Sequence, residues 1–121
     1  MLYVKTKVKE SPIHGVGCFA DQDIKKDQLV WMFNDKTDKA LWMHTAHGLW
    51  KECLEHYGWK EDGFHIICFD DAMYVNHSDV PNLYMNKETG NMHASKDIKR
   101  GEELTENYKE VYGECILRDS V

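Results

Sequence analysis

Apolar and polar residues along the first seventy or so positions change period twice, from alternation to helical spacing and back. Leu2, Val4 and Val8 alternate with Tyr3, Lys5, Lys7 and Lys9, the pattern of a half-buried strand. SPIHGVG (11–17) supplies turn chemistry through Pro12, Gly15 and Gly17, and CFA and LVWMF follow as two further strands. From Leu41 to Tyr57 the period becomes helical: Leu41, Trp42, Ala46, Leu49, Trp50, Cys53, Leu54 and Tyr57 share one face, and Gly58 stands where a C-terminal cap belongs. This predicts one helix, or two broken at Gly48, in a central insert over about 38–58. FHIICF (64–69) reads as a buried strand, and NLYM and NMHAS flank the turn-rich KETGN as a hairpin.

Two segments repeat one pattern. ADQDIKKDQL (20–29) and ASKDIKRGEEL (94–104) share an Ala, then Asp-Ile-Lys, a basic residue and a closing Leu, with one extra residue in the second copy. Each reads as a strand-turn-strand unit, and two copies so far apart cannot stack into a solenoid.

YVNHSDVPN (74–82) fits neither a strand core nor a solvated loop. Asn76-His77-Ser78 matches the N-glycosylation sequon, which matters only in a secreted protein. The first residues, MLYVKTKVKE, hold no continuous apolar stretch of the kind a signal peptide or membrane span requires, so an intracellular location, cytoplasmic or nuclear, is expected and the sequon reads as accidental. Cys18, Cys53, Cys68 and Cys115 form no CxxC or CxC pair, which argues against a zinc knuckle or a disulfide framework. His44 and His47 lie one turn apart, but no third ligand stands at a fixed spacing from them, and no metal is expected. The 121 residues, 42% hydrophobic, suit one domain that buries a core without staples. A formal charge of −6 argues against direct nucleic-acid binding and is compatible with a basic peptide partner.

Four stretches, SPIHGVGCFA, YVNHSDVPN, KDIKRGEEL and ENY, stand in this order over nearly the whole chain. Together they resemble the SET domain, the family of lysine methyltransferases that use S-adenosylmethionine: its first glycine motif, its NHSxxPN motif, the acidic segment before its last strand, and the ending that carries its tyrosine. The length is similar to that of the short stand-alone SET proteins of viruses and bacteria. The resemblance implies a mostly β fold of several short sheets around the central helical insert, a single domain over 1–121. In it the C-terminal segment threads beneath a preceding loop as a pseudo-knot, which ordinary chain topology avoids. The implied activity is transfer of the methyl of S-adenosylmethionine to a lysine side chain of a histone or other basic protein. A non-catalytic module on the same scaffold, binding cofactor or a basic peptide, is the alternative.

What the resemblance implies for single residues follows motif by motif. His14, Gly15, Val16 and Gly17 form a turn that can cradle the cofactor with main-chain groups, since glycine allows close approach. Asn76 and His77 present donors and acceptors to the cofactor or satisfy buried backbone at the crossing. Tyr108 is the tyrosine beside the reacting methyl, and Tyr57 a second residue of the lysine channel. Tyr74, just ahead of Asn76, either touches the cofactor or merely packs, and Tyr112 stands where it could lean on the adenine. The chain departs from the family in having Asp79 where Cys is frequent, Asn107 where Asp is frequent, and Glu106 where an aromatic often limits the number of methyl groups. No zinc-binding tail follows Tyr108, so the channel is to be completed by the short tail, by a second subunit in a homodimer, or by the substrate.

Overall fold

A computed structural model describes residues 1–42, 47–61 and 63–112. The strands are short because turns punctuate the chain every few residues, and they pair into four small sheets. β1 (Thr6–Glu10) and β2 (Val16–Ala20) form an antiparallel ribbon, with Val8 opposite Cys18. β3 (Leu29–Trp31), β8 (Leu83–Met85) and β9 (Met92–Ala94) form a sheet in the order β3-β9-β8. β4 (Asp38–Trp42), β5 (Trp59–Glu61) and β6 (Phe64–Cys68) form another, in the order β4-β6-β5. β7 (Asn76–His77) and β10 (Thr105–Glu106) pair in parallel, Thr105 beside Asn76 and Glu106 beside His77. Among the described residues the α-helices are α1 (Gly48–Tyr57) and α2 (Tyr108–Tyr112), a 3-10 turn spans Asp71–Tyr74, and no helix is long and apolar enough to cross a membrane.

The helical period of the central insert is only partly realised. Leu41 and Trp42 belong to β4, where they lie opposite His65 and Phe64 of β6, and the helix covers Gly48–Tyr57 alone. Pairing with the β-branched run of β6 outweighs the local spacing, since tertiary context overrides a short periodic signal. The expected first strand also shifts. Leu2 makes only an isolated bridge to Trp31, and β1 begins at Thr6 and is not half-buried, since Lys7, Val8 (38% exposed), Lys9 and Glu10 are exposed on both faces of the strand.

The two repeated segments pair with each other about a local twofold axis. Ile24 and Ile98 exchange both backbone hydrogen bonds, at 2.8 and 2.7 Å, and each side chain is 1% exposed. Around them the contacts come in matched pairs. Asp27 N–H donates to Ala94 O and Gly101 N–H to Ala20 O; Lys26 N–H donates to Asp97 Oδ1 and Arg100 N–H to Asp23 Oδ1. Asp27 and Gly101, the equivalent turn residues, both have left-handed backbones, at φ 69° and 96°. Fully burying each isoleucine contributes roughly 1.5–3 kcal/mol. Ile24 and Ile98 join Val4, Cys18, Ala20, Val30, Val75, Leu83, Met92, Ala94 and Leu104 in the main core. Beyond it, the Met1 ammonium pairs with the fully buried Asp38 carboxylate, which also accepts the Asn34 N–H.

Candidate active site

The parallel pair β7-β10 is where the end of the described chain passes beside a loop made some thirty residues earlier, and its polar side chains fix the crossing. Asn82 acts as a backbone mimic: its Oδ1 accepts the Thr105 N–H at 2.8 Å and its Nδ2 donates to Glu103 O at 2.8 Å. Asn76, 6% exposed, faces the other way. Its Nδ2 lies 3.1 Å from both His14 O and Val16 O, 2.9 Å from Glu103 Oε2 and 3.3 Å from Ser11 Oγ. Two N–H bonds thus serve four acceptors and tie the turn 11–16 to the crossing. An amide so buried and so engaged leaves no room for a glycan in the folded protein.

The two glycines of the turn do different work. Gly15 has φ 46°, a left-handed backbone that favours glycine, while nothing lies within 4 Å of where its Cβ would be. At Gly17 the reason is space, because a Cβ there would run into the Glu103 carboxylate. Glu103 in turn accepts the Ser11 hydroxyl at 2.8 and 2.9 Å.

His77 Nδ1 accepts the Tyr108 N–H at 3.0 Å, so the ring proton sits on Nε2, 2.9 Å from Asp79 Oδ1. The histidine therefore caps the start of α2 and holds Tyr108 in place. Tyr108 is 2% exposed, and its phenol donates to Val75 O at 2.7 Å. The Cys18 thiol, under the ribbon, is pushed up to about 12 by burial. Burial and the Asp38 carboxylate raise Cys68 likewise, so neither thiol is a nucleophile near neutral pH.

A cleft of about 180 Å³ opens over this arrangement, lined by His14–Val16, His56, Tyr57, Met73–Asn76 and Tyr108. It brings together seven of the residues singled out in the sequence: His14, Gly15, Val16, Tyr57, Tyr74, Asn76 and Tyr108. Gly17 and His77 stand behind it and shape it without lining it. Tyr112 lies in α2, but its side chain falls outside the described residues, as do His44 and Cys115. Sequence reading missed Glu103. Its partners Ser11 and Gly17 are too remote along the chain for any local signal, and only its place in GEEL marked it.

A second cavity, about 530 Å³ and mainly apolar, is bordered by Trp31, Phe33, Trp59, Met85, Glu106 and Val111 among others. Val75 borders both spaces, and among the described residues it alone does so. The residue whose carbonyl accepts the Tyr108 phenol thus borders both spaces. Among the described residues, no group of three His, Cys, Asp or Glu side chains is placed to hold a metal ion.

A family model described as the SET domain matches residues 15–109. Among solved structures, the chain is similar to a Plasmodium falciparum protein named as a candidate histone methyltransferase. The two share 16% identity over 88% of this chain and 95% of that one, at a TM-score of 0.63. It is also similar to part of a humanized mutant of the Chaetomium thermophilum Polycomb Repressive Complex 2 bound to an inhibitor. That match has 24% identity over 90% of this chain and a TM-score of 0.69, and the chain spans only 15% of the larger one. At these identities the likeness is one of fold. Among curated proteins no match was found.

Proposed function

The chain belongs to the SET-domain family, and from that premise we propose that it is a protein-lysine N-methyltransferase that takes S-adenosylmethionine in the smaller cleft and a lysine from the larger cavity. The observation that carries this reading is the convergence of His14–Val16, Asn76 and Tyr108, three remote parts of the chain, on one cleft that shares Val75 with a second cavity.

The lining fits a sulfonium cofactor. Tyr57, Tyr74 and Tyr108 border the cleft as aromatic residues, the kind that accommodates a cation, and no Lys or Arg among the described residues borders it to repel one. When bound, the cofactor supplies an electrophilic methyl group. Main-chain atoms of His14–Val16 would hold it, with their conformation set by Asn76. The Tyr108 proton is committed to Val75 O, so toward the cleft the phenol oxygen acts as an acceptor, suited to weak CH···O contacts with a methyl.

The amine must arrive neutral. Deprotonating an ordinary lysine near pH 7.4 costs about 4 kcal/mol, and the apolar walls of the larger cavity reduce that cost by disfavouring the charged form. Alignment of the amine with the methyl then supplies much of the rate. A basic protein such as a histone suits an acidic chain of net charge −6.

Calorimetry with S-adenosylmethionine in the presence of a chelator, followed by radiolabelled methyl transfer to histones and to lysate proteins, tests the proposal. Metal-independent binding and label on lysine are expected. Binding without any transfer would leave a non-catalytic module, and no binding at all would overturn the assignment of the cleft.

A further inference from the structure

Glu103 does not line the cleft, yet among the described residues the side-chain hydrogen bonds to the turn 11–16 come from Ser11 and Asn76, and both lead to its carboxylate. Its backbone is fixed from two sides: Leu104 N–H donates to Cys18 O at 2.8 Å, and Glu103 O accepts from Asn82 Nδ2 at 2.8 Å. From this anchored position both carboxylate oxygens receive the Ser11 hydroxyl, and Oε2 also receives Asn76 Nδ2 at 2.9 Å. Ser11 Oγ in turn accepts the Ile13 N–H at 3.0 Å and lies 3.4 Å from the His14 N. Gly17 keeps the space the carboxylate occupies.

We propose that Glu103 is the positioning residue of the cofactor turn, holding it through Ser11 and Asn76; this rests on the reading that the cleft takes S-adenosylmethionine. A serine hydroxyl has one proton, and the carboxylate, which can only accept, claims it. The oxygen lone pairs of Ser11 are thereby directed at the amides of Ile13 and His14. The same carboxylate draws one N–H of Asn76 and so orients the amide whose nitrogen also serves His14 O and Val16 O. Two neutral side chains grip the turn, and one anion sets the direction of both.

Glu103→Gln is the diagnostic change, because it keeps the shape and replaces one acceptor oxygen with a donor. Asn76 Nδ2 can only donate, so it faces either the new amino group or a weaker neutral acceptor. A charge-assisted bond of this kind carries enough free energy that its loss corresponds to about tenfold in affinity.

The experiment compares wild type and Glu103→Gln by amide hydrogen exchange without ligand, and by titration with S-adenosylmethionine and with S-adenosylhomocysteine, which lacks the sulfonium charge. Exchange should accelerate in residues 11–17 and stay unchanged in β8 and β9, both ligands should weaken by about tenfold, and the KM for cofactor should rise more than kcat falls. Weakening confined to the sulfonium ligand would make Glu103 a distant counter-charge and overturn the proposal. Unchanged exchange in the turn, or acceleration spread through the whole molecule, would overturn it as well. Local acceleration in a protein whose wild type binds neither ligand would uphold the grip on the turn and sink the cofactor reading instead. Ser11→Ala, which keeps the carboxylate and removes the relay, should accelerate exchange at Ile13 and His14, and its failure to do so would also count against the proposal.

Discussion

Tyr108 spends its proton inside the protein, on the carbonyl of Val75 at 2.7 Å, and this changes what its removal should do. Taken as a channel-lining phenol alone, Tyr108→Phe would be nearly silent for stability. With a buried bond lost, it should cost about 1 kcal/mol, which lowers the melting temperature by about 4 °C for a domain of this size. Methyl transfer should fall by about tenfold or more while cofactor affinity changes little, since the oxygen acts chiefly on the transition state. Calorimetric titration, thermal melts and single-turnover rates on the one variant separate these effects, and wild-type rates in the folded variant would remove Tyr108 from the mechanism. Tyr108 and Asn76 were legible as candidates because each sits inside a short motif. Glu103 also sits in a motif, GEEL, but its role was not legible, because it is defined by Ser11, 92 positions away, and a relation of that length leaves no trace in local pattern.

At the scale of elements, the sheet β4-β6-β5 carries a pH dependence. His65 in β6 is 1% exposed, its Nδ1 has no hydrogen-bond partner among the described residues, and its pKa is lowered by burial and then by the Lys60 cation. The unfolded chain therefore takes up a proton near pH 6.5 that the folded chain refuses. The stability this group provides is complete above that pH and is lost progressively as the pH falls below it. Urea melts of wild type and His65→Gln at pH 7.5 and 5.5 should show a smaller loss on acidification in the variant, and equal losses would exclude His65 as the cause. The same sheet marks where pattern reading stops. The helix Gly48–Tyr57 and the strand Phe64–Cys68 were visible from spacing and β-branching, but Leu41 and Trp42 fit the helical stripe as well as they fit a strand, and only their pairing with β6 decides between the two. The repeated segments were visible as repeats, whereas their mutual pairing at Ile24 and Ile98 is a long-range fact with no sequence period.

For the molecule as a whole, the crossing of β7 and β10 is the step on which everything else depends. Residues 103–108 contribute Leu104, 0% exposed, to the main core, Tyr108 to the cleft, Glu106 to the second cavity and Glu103 to the turn. A chain ended at residue 102 should accordingly show no cooperative thermal transition and no cofactor binding. A sharp melt near that of the whole chain would mean the crossing is an accessory to the fold. The place of Glu103 in this segment also has a consequence for how the protein comes into being on the ribosome. Ser11 and its partner Glu103 are 92 positions apart, so at roughly 5–20 residues per second the nascent chain carries an ungripped turn for about 5–18 seconds before the segment that closes it is even synthesised.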